Sequence, residues 1–280
     1  MNKFKKILQC GGFILLLFIA ATGCKKTTRP ALGDYPKDAN APGGPLKFYA
    51  AFDGTSSNPL MNGVDSIRAN FPSDNPLASV DGVSKKGIKG DGLKAIKYPS
   101  ANDFKGVTSC TISMWVNNTV NPNTELYFSL TNKDYWHESA AFLLVEHAAI
   151  DKCTFKFSLM DHWVEFTGQS FTKPLFNGQW HHLAFTYDET TSKLLIYFDG
   201  VMVPTPGTQA DFKNGAGMPL GKLDLKNINN LVVGGWNKHA GLTGPADGWI
   251  SGFTGKMDQF RLYGKVLTAS EVMALYNSKL

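Results

Sequence analysis

Over much of this chain hydrophobic and polar positions alternate with a period of two. In Asn177–Asp188 the residues Leu183, Phe185 and Tyr187 are separated by smaller or polar ones, and after a polar turn Leu194, Ile196 and Phe198 repeat the pattern. This predicts a hairpin whose two apolar triples face one core. Residues 46–52 read as a strand that ends on Asp53-Gly54, a strong turn signal. Residues 110–116, 125–130, 141–145, 154–159 and 163–166 are further strand candidates. Between them, residues 55–94 are polar and proline-bearing, with room for one or two short strands. The helical segment falls at residues 268–276. Many short strands joined by turns, followed by one helix, predict an antiparallel sandwich and not a βαβ fold. No internal repeat is visible.

The pattern changes at the N-terminus. Lys3, Lys5 and Lys6 precede an apolar run at 13–19, the layout of a secretory signal, and that run is short for a membrane span. Ala21-Thr-Gly-Cys24 is similar to a bacterial lipobox, which implies that Cys24 is acylated and becomes the mature N-terminus. A soluble protein left by ordinary signal cleavage is the alternative. Lipid chains would hold the protein to a membrane surface without crossing it. Prolines and glycines with few large apolar groups make residues 25–45 a tether. The expected organisation is a signal at 1–23, the acylated cysteine and tether at 24–45, and one domain at 46–280, a size common for a single all-β domain.

Charge and cysteines narrow the picture further. Three of the lysines behind the formal net charge of +5 belong to the signal, which leaves +2 for residues 24–280, so there is no electrostatic case for nucleic acid. Lys25, Lys26 and Arg29 follow the anchor and could rest on anionic headgroups. With Cys10 in the signal and Cys24 lipidated, Cys110 and Cys153 remain. A bridge between them requires Cα atoms within about 7 Å; two buried free thiols are the reading favoured by their apolar strand neighbours.

Two stretches carry a family resemblance. The first is Asn177-Gly-Gln-Trp-His-His-Leu-Ala-Phe-Thr-Tyr-Asp188 with Leu194-Leu-Ile-Tyr-Phe-Asp-Gly200. The second is Phe253-Thr-Gly-Lys-Met-Asp-Gln-Phe-Arg-Leu-Tyr-Gly264, with the short helix after it. Together they resemble the laminin-G-like, concanavalin A-like lectin/glucanase superfamily. The resemblance implies a jelly roll of two antiparallel sheets over residues 46–279, and is most specific in the Trp115 strand, the hairpin and the closing segment. Some relatives are endoglucanases whose Glu-x-Asp-x-Glu strand places carboxylates on one face for glycoside hydrolysis. That signature is absent, and Asp161 and Glu165 would lie about 13 Å apart on a straight strand, with Asp161 in a turn. Jelly-roll lyases pair a Gln-x-His with a Tyr-x-Lys-x-Gly-x-Tyr pattern; Gln179-Trp180-His181 fits the first, but the second is absent, as are G-x-S-x-G and H-E-x-x-H. His181 and His182 are acid/base residue types, but the resemblance gives that place a structural role. No catalytic residue is assigned, and a glycoside hydrolase or lyase with an atypical site is the third reading.

The same resemblance implies a structural calcium near Asp53 and Asp258, on the opening and closing strands. Calcium takes six to eight oxygen ligands, so backbone carbonyls would have to join them; otherwise Asp53 starts a turn and Asp258 binds backbone amides. Sugar rings pack their C–H faces on flat aromatic side chains while polar groups bind the hydroxyls. Tyr135, Trp136, Trp163, Trp236 and Trp249 lie at expected turns or strand ends and are the ligand candidates. Asp134, Asn237, His239 and Asp247 are their hydrogen-bonding partners by proximity in sequence. Trp115 and Trp180 fit family strand positions and read as core or near-core. The expected protein is a non-catalytic, lectin-like lipoprotein of the bacterial envelope, accessory to polysaccharide capture. The alternative is an adhesion or assembly module with an envelope protein partner.

Overall fold

The computed structural model describes residues 44–53, 76–245 and 247–279, all within one compact unit spanning Tyr35–Leu280. The expected signal, Cys24 and the tether up to residue 43 lie outside the described residues. Fifteen strands are present among those described: β1 Leu46–Ala50, β2 Ala78–Asp81, β3 Lys86–Lys89, β4 Ile96–Tyr98, β5 Cys110–Thr119, β6 Thr124–Thr131, β7 Ala141–Ala149 and β8 Lys152–Leu159. The rest are β9 His162–Phe171, β10 Asn177–Asp188, β11 Lys193–Phe198, β12 Val201–Val203, β13 Asn230–Val233, β14 Ile250–Gly252 and β15 Lys256–Tyr263. Helix α1, Ala269–Ser278, follows.

These strands form two sheets. The first has eight strands in the order β12-β11-β10-β5-β15-β3-β2, with β1 also on β15. The second has seven, β4-β13-β6-β7-β8-β9, with β14 parallel to β6. The chain is thus the antiparallel two-sheet sandwich that the alternation predicts, with one short C-terminal helix. The β10–β11 hairpin pairs Leu183 with Phe198, Phe185 with Ile196 and Tyr187 with Leu194, and all six side chains are buried in the core between the sheets. Aromatic stacking closes that core: Phe185 lies 4.0 Å from Phe157 at 5°, and Phe155 lies 4.3 Å from Phe171 at 11°. Cys110 and Cys153 are free and buried in the same core, where burial pushes both thiols up to about 12.

Each sheet also carries apolar side chains on its outer face, because alternate residues point away from the core. On the first sheet Tyr49, Ala184 and Tyr197 pack under Val272 and Leu275 of α1. The helix starts at a capping box in which the Thr268 hydroxyl accepts from the Glu271 amide and the Glu271 carboxylate reaches back to Thr268. On the second sheet Leu126, Phe142 and Leu144 pack against Trp136, Trp236 and Ile250. This second outer face gathers most of the candidate ligand residues.

Candidate functional site

The outward row across the second sheet follows from its register: Ser129 opposes Phe142, Phe142 opposes Ser158, and Ser158 opposes Trp163. Two loops lie over the row, residues 132–140 and 234–249. Trp136 opens a 3₁₀ turn, Trp136–Glu138, and its buried ring is the hub of the cluster. It meets Phe142 at 5.4 Å, Trp163 at 6.1 Å and Trp249 at 5.8 Å, all edge to face, and Tyr135 at 6.0 Å. Its indole Nε1–H donates to Asp247 Oδ2 at 2.7 Å. The Asp247 carboxylate also raises the proton affinity of the Tyr135 phenol above the usual tyrosine value. One carboxylate therefore pins the hub ring from a loop more than a hundred positions away in sequence.

Exposure separates platforms from supports. Trp249 is 55% exposed, and Tyr135 and Trp163 are partly exposed, so these three present aromatic surface to solvent. Trp236 is fully buried, and Asn237 and His239 are buried beside it. The Asn237 amide donates to the carbonyls of Lys133 and Thr243 at 2.9 and 3.2 Å, tying the two loops together. Burial drives the His239 imidazole down to about 4, so it is neutral at physiological pH. Gly244 is required by close packing, since a Cβ there would lie 2.3 Å from the Asp134 carbonyl oxygen. The expectation that Trp236, Asn237 and His239 contact ligand therefore gives way to a supporting role. Their glycine-rich loop folds back on itself and buries them. Asp134 is exposed at the rim.

A polar row that the sequence reading missed lies next to Trp163. Leu144 opposes Lys156, and Lys156 opposes Glu165, while the Lys156 ammonium pairs with the Glu146 carboxylate at 2.6 Å. Trp163 and Glu165 share a face because they are two positions apart on β9. The available signal was the polar half of the alternation in β8 and β9, which is visible only once the strands are aligned. Asp161 sits in the turn before β9 with φ 60°, as expected. His181 is engaged by Asp199 at 2.8 Å and Asn177 at 3.0 Å, on the other sheet. Trp115 is buried and Trp180 is half-buried on that sheet as well.

Asp53 and Asp258 meet at the β2–β3 turn. Asp258 is fully buried; its Oδ2 accepts from the amides of Val83 at 2.8 Å and Ser84 at 3.2 Å. Asp53 Oδ1 accepts from the Lys86 amide at 2.9 Å. A side chain at Gly82 would reach within 2.3 Å of Asp258 Oδ2, so glycine lets the turn close over the carboxylate. Burial, and secondarily the charge of Asp53, push Asp258 up to about 7, and its buried Oδ1 has no hydrogen-bond partner among the described residues. An orphaned carboxylate oxygen beside a second carboxylate is what a bound cation would satisfy. Among the described residues no cluster of three or more His, Cys, Asp or Glu side chains surrounds it, so backbone oxygens would have to complete the ligand set.

Comparison with known proteins places this architecture. The profile described as the concanavalin A-like lectin/glucanases superfamily matches residues 91–273. The chain belongs to this superfamily. No curated protein sequence matches it. Among solved structures it is similar to domain 4 of AbnA, a GH43 extracellular arabinanase from Geobacillus stearothermophilus, in complex with arabinotriose. The TM-score is 0.52 at 19% identity over 82% of this chain and 98% of that one. It is also similar to the binding domain of Paraclostridial Mosquitocidal Protein 1, with TM-score 0.54 and 16% identity over 83% of this chain. The receptor binding domain of the botulinum neurotoxin C/D mosaic serotype gives TM-score 0.54 and 11% identity over 84%. This chain spans about half the length of these last two structures, 52% and 51%. At such identities the shared property is the fold.

Proposed function

We propose that this superfamily member is a non-catalytic glycan-binding module, held at the bacterial envelope through acylated Cys24. The observation that carries the reading is the exposed aromatic surface of Trp249, Trp163 and Tyr135, gathered around Trp136 and fixed by Asp247. Rigid aromatic faces beside hydrogen-bonding side chains are the physical requirement for holding sugar rings. Asp247, Glu165 and the Lys156–Glu146 pair supply polar groups next to those faces. The arabinotriose complex of the arabinanase domain supports the choice of ligand class by analogy of fold alone. Calcium at Asp53 and Asp258 would be structural, neutralising the buried carboxylates and fixing the β2–β3 turn. Among the described residues no helix is long and apolar enough to cross a membrane.

The test is affinity electrophoresis of the full chain through gels containing arabinan, xylan or mixed-linkage glucan, with and without calcium, alongside a reducing-sugar assay. Retention without sugar release is the expected result. Migration unchanged by every polysaccharide would contradict glycan binding and favour the assembly-module alternative. Sugar release would overturn the non-catalytic part.

A further inference from the structure

Buried polar atoms without a protein partner concentrate on the outer face of the first sheet. Ser113 Oγ, Trp115 Nε1 and both ring nitrogens of His182 have no hydrogen bond among the described residues, and all three side chains are buried. The register makes them neighbours: His182 opposes Trp115, with rings 5.2 Å apart, and Ser113 stands two residues along the same face. Arg261 opposes Ser113 and bounds the patch, its guanidinium bonded to Gln259 Oε1 at 3.0 Å and lying 4.3 Å over the Tyr49 ring. Asp258 occupies the next place beyond Trp115, with one oxygen turned to the β2–β3 turn.

Buried groups of this kind call for partners, and their chemistry says which. The indole N–H only donates, the serine hydroxyl donates and accepts, and a neutral imidazole does one of each. A guest rich in hydroxyls satisfies all three; an anion, which only accepts, would leave the imidazole acceptor unsatisfied. Over Trp115 lies the C-terminal turn of α1. Tyr276 lies parallel to Trp115, 5.5 Å away at 19°, on the stacking surface that a sugar ring would use. The cover is a light one: Val272 is the fully buried residue of α1, and the helix is held at its start by Thr268, Glu271 and the Lys265–Glu271 ion pair at 2.5 Å. A short peripheral element with few buried groups opens more readily than the core.

We propose that Ser113, Trp115 and His182 form a second sugar subsite, closed in this structure by α1, with Tyr276 occupying the place of a sugar ring. The inference rests on the reading of the domain as a glycan binder. Closure lowers the apparent affinity in proportion to the rarity of the open state, so loosening the helix exposes the subsite.

The experiment uses the full chain with Trp249→Ala and Trp163→Ala, which silences the aromatic site on the other sheet. Tyr276→Ala is added in one protein and Glu271→Ala, which loosens the cap without touching the patch, in a second. Arabinotriose, xylotriose and cellotriose are titrated while the Trp115 indole N–H resonance is followed by NMR. At least one sugar is expected to shift that resonance, with an affinity roughly tenfold higher in each loosened protein than in the same background with α1 intact. If the wild type binds a trisaccharide but the Trp115 resonance stays still in both loosened and folded variants, the second subsite is refuted while the aromatic site stands. If no form of the protein binds any of the three sugars, both readings fall.

Discussion

At the residue scale, burial decides what each titratable or aromatic side chain can do. Glu125 is buried, accepts a hydrogen bond from the Thr254 hydroxyl and is pushed up to about 7 by desolvation. Its folded value lies above its unfolded one, so between pH 4.5 and 7 the folded chain holds the proton more tightly. The carboxyl therefore costs stability progressively as pH rises through that window and no further above it. In EDTA, Glu125→Gln should be more stable than wild type at pH 8, by at most about 3 kcal/mol, with the gap closing towards pH 5 in urea midpoints. A gap independent of pH would place the effect elsewhere. Asp258 makes a separate prediction. Calcium should raise the melting temperature of the wild type by several degrees at saturating concentration, and should leave Asp258→Asn unmoved; equal responses would remove calcium from this site. Both Asp residues were legible from their motifs. The burial of Glu125 was not, because its strand alternation does not reveal that Thr254 packs onto it from the closing segment.

At the element scale, the β10–β11 hairpin was the most legible feature because its two apolar triples are in register with one another and with a single core. Phe185 stacks on both Phe157 and Phe155 from the opposite sheet, so Phe185→Ala should cost about 3–5 kcal/mol. A lowered urea midpoint at unchanged slope is the measurement, and a loss below about 1 kcal/mol would mean that the inter-sheet stack contributes little. The short strands β4, β12, β13 and β14 escaped the sequence reading. Each has only three or four residues, too few for alternation to stand out, and each is held by pairing with a partner far away in sequence or across a tight turn. Strand β9 runs to Phe171 and not to residue 166, because Cys153 pairs with Phe171 past an irregularity in the ladder.

At the scale of the whole molecule, two sheets with one shared core leave two outer faces, and their difference shapes the functional reading. One is covered by α1; the other carries a partly open aromatic cluster. The sequence named most of that cluster, since tryptophans beside turns are conspicuous, but could not rank its members. Trp249 and Trp236 share one glycine-rich loop, and only the folding of that loop over Phe142 and Leu144 buries one while leaving the other in solvent. The proposed lipid anchor belongs to this scale too. Cys24→Ala should release the protein from the membrane fraction on cell fractionation, and persistent membrane association would contradict attachment through that residue.

The most direct measurement of the central claim is titration calorimetry of wild type, Trp249→Ala and Trp236→Ala with the polysaccharide retained best in affinity gels, each with a parallel thermal melt. Trp249→Ala should lose about tenfold in affinity with its melting temperature intact, because its ring is largely in solvent. Trp236→Ala should lose roughly 3–5 kcal/mol of stability, with its folded fraction binding close to normally. Undiminished binding by Trp249→Ala would contradict the assignment of the aromatic cluster as the glycan site.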